Sequence, residues 1–201
     1  HRLLIFAAFL MLFAASCKPT RYVQEGQHLV LKNTVHLNEN ELHDSEVTAD
    51  DLEAVIKQKP NRRFLGLVPL YLGIWNFANE KNQDRKLYRY LKNDVGEPPV
   101  IFEEGMFKRS EDQIYRYLEN HGYFDAKVSS YVIKDEKTVE QVFYVYSGPG
   151  YKLRKLGYSF EDDSLRLEFT DKRNQELTKL KLPKGTVFNT DKLKKERDRC
   201  L

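Results

Sequence analysis

The spacing of apolar and polar residues divides the chain into readable pieces. Leu3 to Ala15 is an unbroken apolar run, shorter than the roughly 20 residues needed to cross a bilayer. It reads as an export signal rather than a membrane helix. From His28 to Leu37, the apolar residues Leu29, Leu31, Val35 and Leu37 fall on odd positions, the period of a half-buried strand. A helix should follow, because Thr48 is a good N-cap, Asp51 stands three residues later, and Val47 can pack on Leu52. Leu52, Val55 and Ile56 give that helix one apolar face, and Pro60 stops it. Phe64 to Phe77 is strongly apolar but broken by Gly66, Pro69 and Gly73. The first expectation is a segment tucked into the core, since soluble domains rarely expose large apolar patches. The other reading is an exposed surface for a partner or the membrane interface, with Tyr71, Ile74, Trp75 and Phe77 as its candidate residues.

The clearest unit lies further on. Ser110 and Gln113 have capping-box spacing. Ile114, Tyr117 and Leu118 share a helical face, and Gly122 sits where a left-handed C′ residue belongs. Phe124, Ala126, Val128, Ser130 and Val132 then alternate with polar residues. After the break Asp135-Glu136-Lys137, so do Val139, Gln141, Phe143 and Val145. The pattern predicts a helix packed on an antiparallel hairpin with arms of about ten residues. Ser147-Gly148-Pro149-Gly150 lacks the Lys-Ser/Thr of a phosphate cradle and reads as a turn. A strand is expected over Tyr151 to Phe160, and a helix around Gln175 to Leu180. After the break at Leu182 to Gly185 comes a last helix. Asn189 caps it, Phe188 staples to Leu193, and Leu193, Arg197, Cys200 and Leu201 share a face.

Composition narrows the function. Thirty-three basic residues face 30 acidic ones, too even for the basic stripe that nucleic-acid binding needs. Aromatics make up 12% of the chain, which argues for packed β-rich structure and against disorder. About 185 residues beyond the export signal suffice for one or two small domains. Cys17 and Cys200 are the two cysteines, so no disulfide framework is expected once Cys17 is modified. No Cys/His cluster has metal-ligand spacing, and neither a metal nor a cofactor is expected. The acidic pairs Glu103-Glu104 and Asp162-Asp163 adjoin turn-like sequence, where solvated charge is the ordinary explanation. His28, His36, His43 and His121 are scattered. His121, beside Gly122, fits a cation at a helix C-terminus. The expectation is a binding protein, not an enzyme.

Two resemblances complete the reading. Phe13-Ala14-Ala15-Ser16-Cys17 resembles the lipobox of bacterial lipoproteins. This implies that residues 1–16 are removed, that Cys17 is the lipid-attachment residue, and that residues 17–28 form a tether. Several acyl chains give an anchorage that one alone does not. An ordinary secretory signal followed by a cysteine is the alternative. His1-Arg2 reads as a shortened n-region, and the chain stops inside a running helix, so a fragment of a longer protein is expected.

The second resemblance rests on element order: strand, helix, helix, strand, strand, then strand, helix, helix. With Gly122 to Ala126, Lys59 to Arg63, Gly96 to Val100 and Gly185 to Leu193, this resembles tandem POTRA domains of lipidated TamA-like members of the BamA/TamA outer-membrane superfamily. It implies an α+β fold with a first POTRA-like domain at 29–147, carrying an insertion at about 61–99. A second, incomplete one follows at 148–201, with a membrane β-barrel beyond Leu201 rather than within the chain. It further implies a periplasmic arm at the outer membrane that takes unfolded outer-membrane protein clients, or a partner spanning the periplasm, by β-augmentation of an exposed strand. The candidate edge is Tyr123 to Lys134, with Tyr123, Phe124, Lys127, Ser129, Tyr131 and Ile133 as its contact residues. A free-standing lipoprotein scaffold is the alternative.

Overall fold

The period-two segment forms β1, Leu29–Leu37, in the computed structural model, which describes residues 18–38, 47–81, 84–155, 162–164, 167, 182 and 184–200. The export run, Cys17, His43, the strand expected beyond 155, the helix expected around 175–180 and Leu201 lie outside the described residues, as does the side chain of Cys200. The other elements are α1 (Ala49–Val55), α2 (Leu70–Asn79), α3 (Lys86–Tyr90), α4 (Glu104–Asn120), β2 (Lys127–Lys134), β3 (Thr138–Tyr146) and α5 (Thr190–Cys200). A π-helical turn, Leu91–Val95, prolongs α3. The strands form an open three-stranded sheet in the order β1-β3-β2. Leu29 N–H donates to the Lys137 carbonyl and Asn38 N–H to that of Val145, so β1 runs parallel to β3. Among the described residues no helix is long and apolar enough to cross a membrane.

By compactness the chain falls into two units. The first holds the described residues up to Thr34 with Ile56–Glu111 and Ser130–Phe143, and the second holds Val35–Val55, Asp112–Ser129 and the described residues from Tyr144 on.

In the first unit, Val23, Leu29 and Leu72 pack into a core flanked by Ile101. Val23, in the stretch 17–28 expected as a tether, is thus a buried side chain. Lys137 Nζ donates to the Val23 carbonyl, and Tyr22 sets its ring edge-on to Trp75. Phe107 of α4 packs on Phe143 of β3, with ring centroids 5.3 Å apart. Two features depart from the sequence reading. Helix α4 begins at Glu104, so Ser110 is not a cap. Its Oγ donates to the Met106 carbonyl and accepts from Lys57 N–H, making a buried strut inside the helix. The segment Phe64 to Leu70, expected in the core, is exposed instead: Leu65 and Leu67 are 78% and 76% accessible. Pro69 and the tight turn before it keep this stretch out of a helix until Leu70.

In the second unit, Thr48 and Asp51 form a reciprocal cap. Asp51 N–H donates to Thr48 Oγ1, while Thr48 N–H and Oγ1–H both donate to Asp51 Oδ2. These bonds to the Thr48 side chain, then its backbone, hold the Asp51 carboxyl below its ordinary pKa. Val47 and Leu52, the expected staple pair, are both buried. Helix α4 ends in a Schellman motif: Gly122 N–H donates to the Glu119 carbonyl and Tyr123 N–H to that of Leu118, with Gly122 at φ +87°. A Cβ on Gly122 would lie 2.7 Å from the Phe188 carbonyl oxygen, so the position excludes side chains twice over. Asn189 Oδ1 accepts from Asp191 and Lys192 N–H and caps α5. The buried face of α5 carries Glu196, bound by Arg199 through two bonds, whereas Arg197 points to solvent and pairs with Asp198. The expected face through Arg197 is corrected to one through Glu196.

On β3, Gln141 is fully buried, and neither amide atom meets a hydrogen-bonding group among the described residues. Such orphan groups cost about 1–3 kcal/mol. Gln141→Met, close in volume, should raise the urea midpoint with an unchanged slope and stabilise by about 1 kcal/mol. Thr48→Ala should cost about 1 kcal/mol near neutral pH. Because the Asp51 pKa is depressed, the cap's pH-dependent share is present above the ordinary carboxylate pKa and fades as pH falls through the folded value. Urea titrations of both chains over that acid range should show their stabilities converging.

Candidate functional site

The sheet has two outer strands, and the chain treats them differently. The first half of β1 is covered. Leu29 bridges Ile101, Val30 N–H donates to the Val100 carbonyl, and Phe102 N–H donates to that of His28. Arg63 Nη2 also reaches the Leu31 carbonyl at 3.0 Å. Two buried amides hold the covering segment in place. Gln58 Nε2 donates to the Ile101 carbonyl, while its Oε1 accepts from Glu103 N–H. Asn61 spans Pro98 and Val100 in the same way. Covering an edge with a loop is one way proteins prevent unwanted pairing.

Strand β2 has β3 on one side and, among the described residues, no strand on the other. Its register follows from one bond. Asp135 N–H donates to the Thr138 carbonyl at 2.9 Å, which makes residues 135 and 138 a hydrogen-bonded pair. Narrow and wide pairs alternate along an antiparallel ladder. Ile133, Tyr131, Ser129 and Lys127 thus turn their backbone groups toward β3. Lys134, Val132, Ser130 and Val128 turn theirs outward. The burial pattern agrees: Val128, Ser130 and Val132 are half-buried on the helix-facing side, where Ser130 Oγ donates to Glu111 Oε2 of α4, and their neighbours are exposed.

The expected contact residues are therefore sorted by geometry. Lys127, Ser129, Tyr131 and Ile133 lie on β2 and present side chains on the exposed face. Tyr123 and Phe124 precede the strand. Tyr123 is buried in the Schellman turn. Phe124 packs its ring against Tyr151 and Phe188. The outward backbone belongs to other residues of the expected edge, namely Ser130, Val132 and Lys134 in the first unit. The two-residue turn Glu136-Lys137 was the signal that fixes this parity. Gln58 and Asn61 were missed as well, because nothing in composition distinguishes a clamping amide from a surface one.

Charge at this strand is basic at both ends, with Lys127 opening it and Lys134 Nζ lying 5.8 Å from the Phe102 ring centroid. Among the described residues, the titratable groups considered for catalysis do not converge. His121 Nδ1 lies 2.7 Å from the Tyr117 carbonyl and its ring stacks on that of Tyr117. His36 stacks on Tyr144. Asp162 accepts from Ser164 N–H in a local turn that lowers its pKa. Among the described residues no group of three His, Cys, Asp or Glu could hold a metal ion. Of the candidate apolar residues, Tyr71, Ile74 and Trp75 are half-buried on α2, and Phe77 is exposed.

Residues 71–148 match the family model described as POTRA, surface antigen variable number repeat. The matched stretch begins in α2 and includes the whole β2–β3 hairpin. The α+β fold with its open three-stranded sheet is POTRA-like. No curated protein matches the chain. Among solved structures, Haemophilus influenzae BamA POTRA3-5 is similar over 89% of this chain and 87% of that one, at 16% identity and a TM-score of 0.27, too low to carry an argument.

The register makes a parity prediction. Proline is tolerated where the lost N–H faces solvent and disruptive where it breaks a ladder bond. Ile133→Pro should destabilise the chain by at least about 2 kcal/mol more than Val132→Pro. Urea unfolding of the two variants measures the difference.

Proposed function

We propose that this chain is a client-docking arm of an outer-membrane protein assembly or translocation factor. It works at the periplasmic face and is held to the membrane by a lipid on Cys17. In this proposal it is a lipidated TamA-like member of the BamA/TamA superfamily, with two successive modules, 29–147 and 148–201, and a barrel beyond Leu201. The arm binds and does not catalyse.

One observation carries the reading: β1 is closed by Val100–Phe102, whereas β2 has no neighbour on its outer side among the described residues. Unpaired N–H and C=O groups of Ser130, Val132 and Lys134 offer a ladder to an extended chain. Main-chain bonds read no side-chain identity, which suits a receptor for many clients. The exposed side chains of Tyr131 and Ile133 supply apolar contact beside that ladder. The POTRA match over 71–148 supports the same reading, because it covers both arms of the hairpin.

The test uses the ¹⁵N-labelled chain and an extended peptide with the alternating pattern of an outer-membrane strand. The amides of Ser130, Val132 and Lys134 should shift on titration and those of β1 should not. Val132→Pro removes one outward donor and sets a ring against the incoming strand, so affinity should fall about fivefold or more. Unchanged affinity in a folded Val132→Pro chain would refute docking at this edge.

A further inference from the structure

The first unit also carries an apolar projection that neither its core nor the sheet edge uses. Phe64 N–H donates to the Val68 carbonyl, and Leu67 N–H donates to that of Phe64, closing a tight hairpin. Leu65 and Gly66 at its tip both have positive φ, 51° and 73°. Turns of this kind normally place Asn, Asp or Gly at both positions. Glycine at the second is ordinary; leucine at the first is not. A leucine in the left-handed region is strained, and this one leaves about four-fifths of its surface in water. Leu67 is as exposed, and Phe64, Val68 and Leu70 extend the patch. Leu70 and Phe77, seven residues apart on α2 and both exposed, carry it onto one helical face. A turn needed only to reverse the chain gains nothing from these residues.

Charge around the patch identifies what covers it. Lys59, Arg62 and Arg63 are exposed at its base. Each aromatic ring of α2 lies beneath a cation: Arg62 at 4.5 Å from the Tyr71 centroid, Lys92 at 5.6 Å from Trp75, and Lys81 at 5.1 Å from Phe77. Glu97 faces Arg62 at 3.6 Å and is the acid nearest the guanidinium. An apolar tip above a collar of aromatics and long basic side chains matches the order of a bilayer surface, hydrocarbon beneath phosphates. A convex tip of separate leucines also fits fluid lipid better than a groove of fixed shape.

We propose that the hairpin Phe64–Val68, with the exposed face of α2 behind it, inserts into the outer layer of a phospholipid bilayer while Arg62 and Arg63 meet the phosphates. The insertion is separate from client docking on β2 and holds whatever else anchors the chain.

The test reads the depth of one position, so that other attachments do not confuse it. In the full chain carrying Cys17→Ser and Cys200→Ser, Leu67→Cys is labelled with an environment-sensitive fluorophore and mixed with phosphatidylcholine–phosphatidylglycerol vesicles. Flotation first shows that the chain is vesicle-bound. The label should shift to the blue and be quenched by lipids carrying a nitroxide on the acyl chain, whereas the same label at Glu136→Cys should stay in water. Adding Leu65→Asp should weaken the insertion about tenfold or more. Arg62→Glu with Arg63→Glu should lower it most on vesicles rich in phosphatidylglycerol. A vesicle-bound chain whose position-67 label stays unquenched overturns the proposal, and so does a chain that never binds. A blue shift that appears without lipid and grows with protein concentration identifies a second copy as the occupant. A shift that needs added polypeptide identifies a protein groove. Either result also overturns it.

Discussion

The hydrogen bond from Asp135 N–H to the Thr138 carbonyl is the smallest feature on which the most depends. It sets the parity of β2 against β3. Because side chains alternate faces with a period of two, a slip of one residue would exchange every inward group for an outward one. The buried alternation Val139, Gln141, Phe143, Val145 on β3 secures that parity from the other side of the ladder. A slip would put Tyr144 and Tyr146 where Phe143 and Val145 belong. The register is thus fixed locally by a two-residue turn and globally by burial, and the backbone groups β2 turns outward are a consequence of both.

The contrast between the edges gives this consequence a functional direction. Closing the first half of β1 takes a bridge, two backbone bonds, an arginine and two buried glutamine and asparagine clamps. Unsealed edges invite aggregation, and proteins usually blunt them with lysine and other charged side chains, proline, bulges or inward charge. β2 carries that protection only in the lysines at its two ends, with no charge or proline between them. An eight-residue edge left regular among the described residues, at the far side of the sheet from one so thoroughly sealed, is a difference that the fold's stability does not require. Recognition of extended chains gives it a use.

Much of this was legible in the sequence where a local rule acts alone. The strand at Leu29 to Leu37, the Thr48 cap, the Gly122 C′ residue, the Asn189 cap and the hairpin break at 135–137 each follow from chemistry within a few residues, and each has its structural counterpart. The readings that failed needed information from afar. Ser110 had a cap's spacing, but its hydroxyl is committed to Met106 and to Lys57, a residue 53 positions away. Asn33 is buried in β1 while Leu31 is exposed, reversing their hydropathy, because Gln58 supplies a carbonyl for the Asn33 amide. On β2, by contrast, Lys127, Ser129, Tyr131 and Ile133 turn side chains to the exposed face and backbone toward β3, a parity that the two-residue turn alone allows to be counted.

The segment from Gln58 to Arg63 links the two surfaces proposed here. Its amides Gln58 and Asn61 fasten the cover of β1, and Arg63 finishes that closure at Leu31. The next residue, Phe64, opens the apolar hairpin. The turn therefore projects from a base anchored by buried hydrogen bonds rather than from a slack loop. That anchoring bears on the strain at Leu65. A strained left-handed residue persists only when its surroundings determine it, and a base held on one side by Asn61 and Arg63 and on the other by α2 supplies that determination. The exposed leucines then detract from solubility more than from the fold, because removing them would leave the core of Val23, Leu29 and Leu72 untouched. Selection for stability alone has no reason to keep them in water, which leaves contact with an apolar medium as the physical reason for their place.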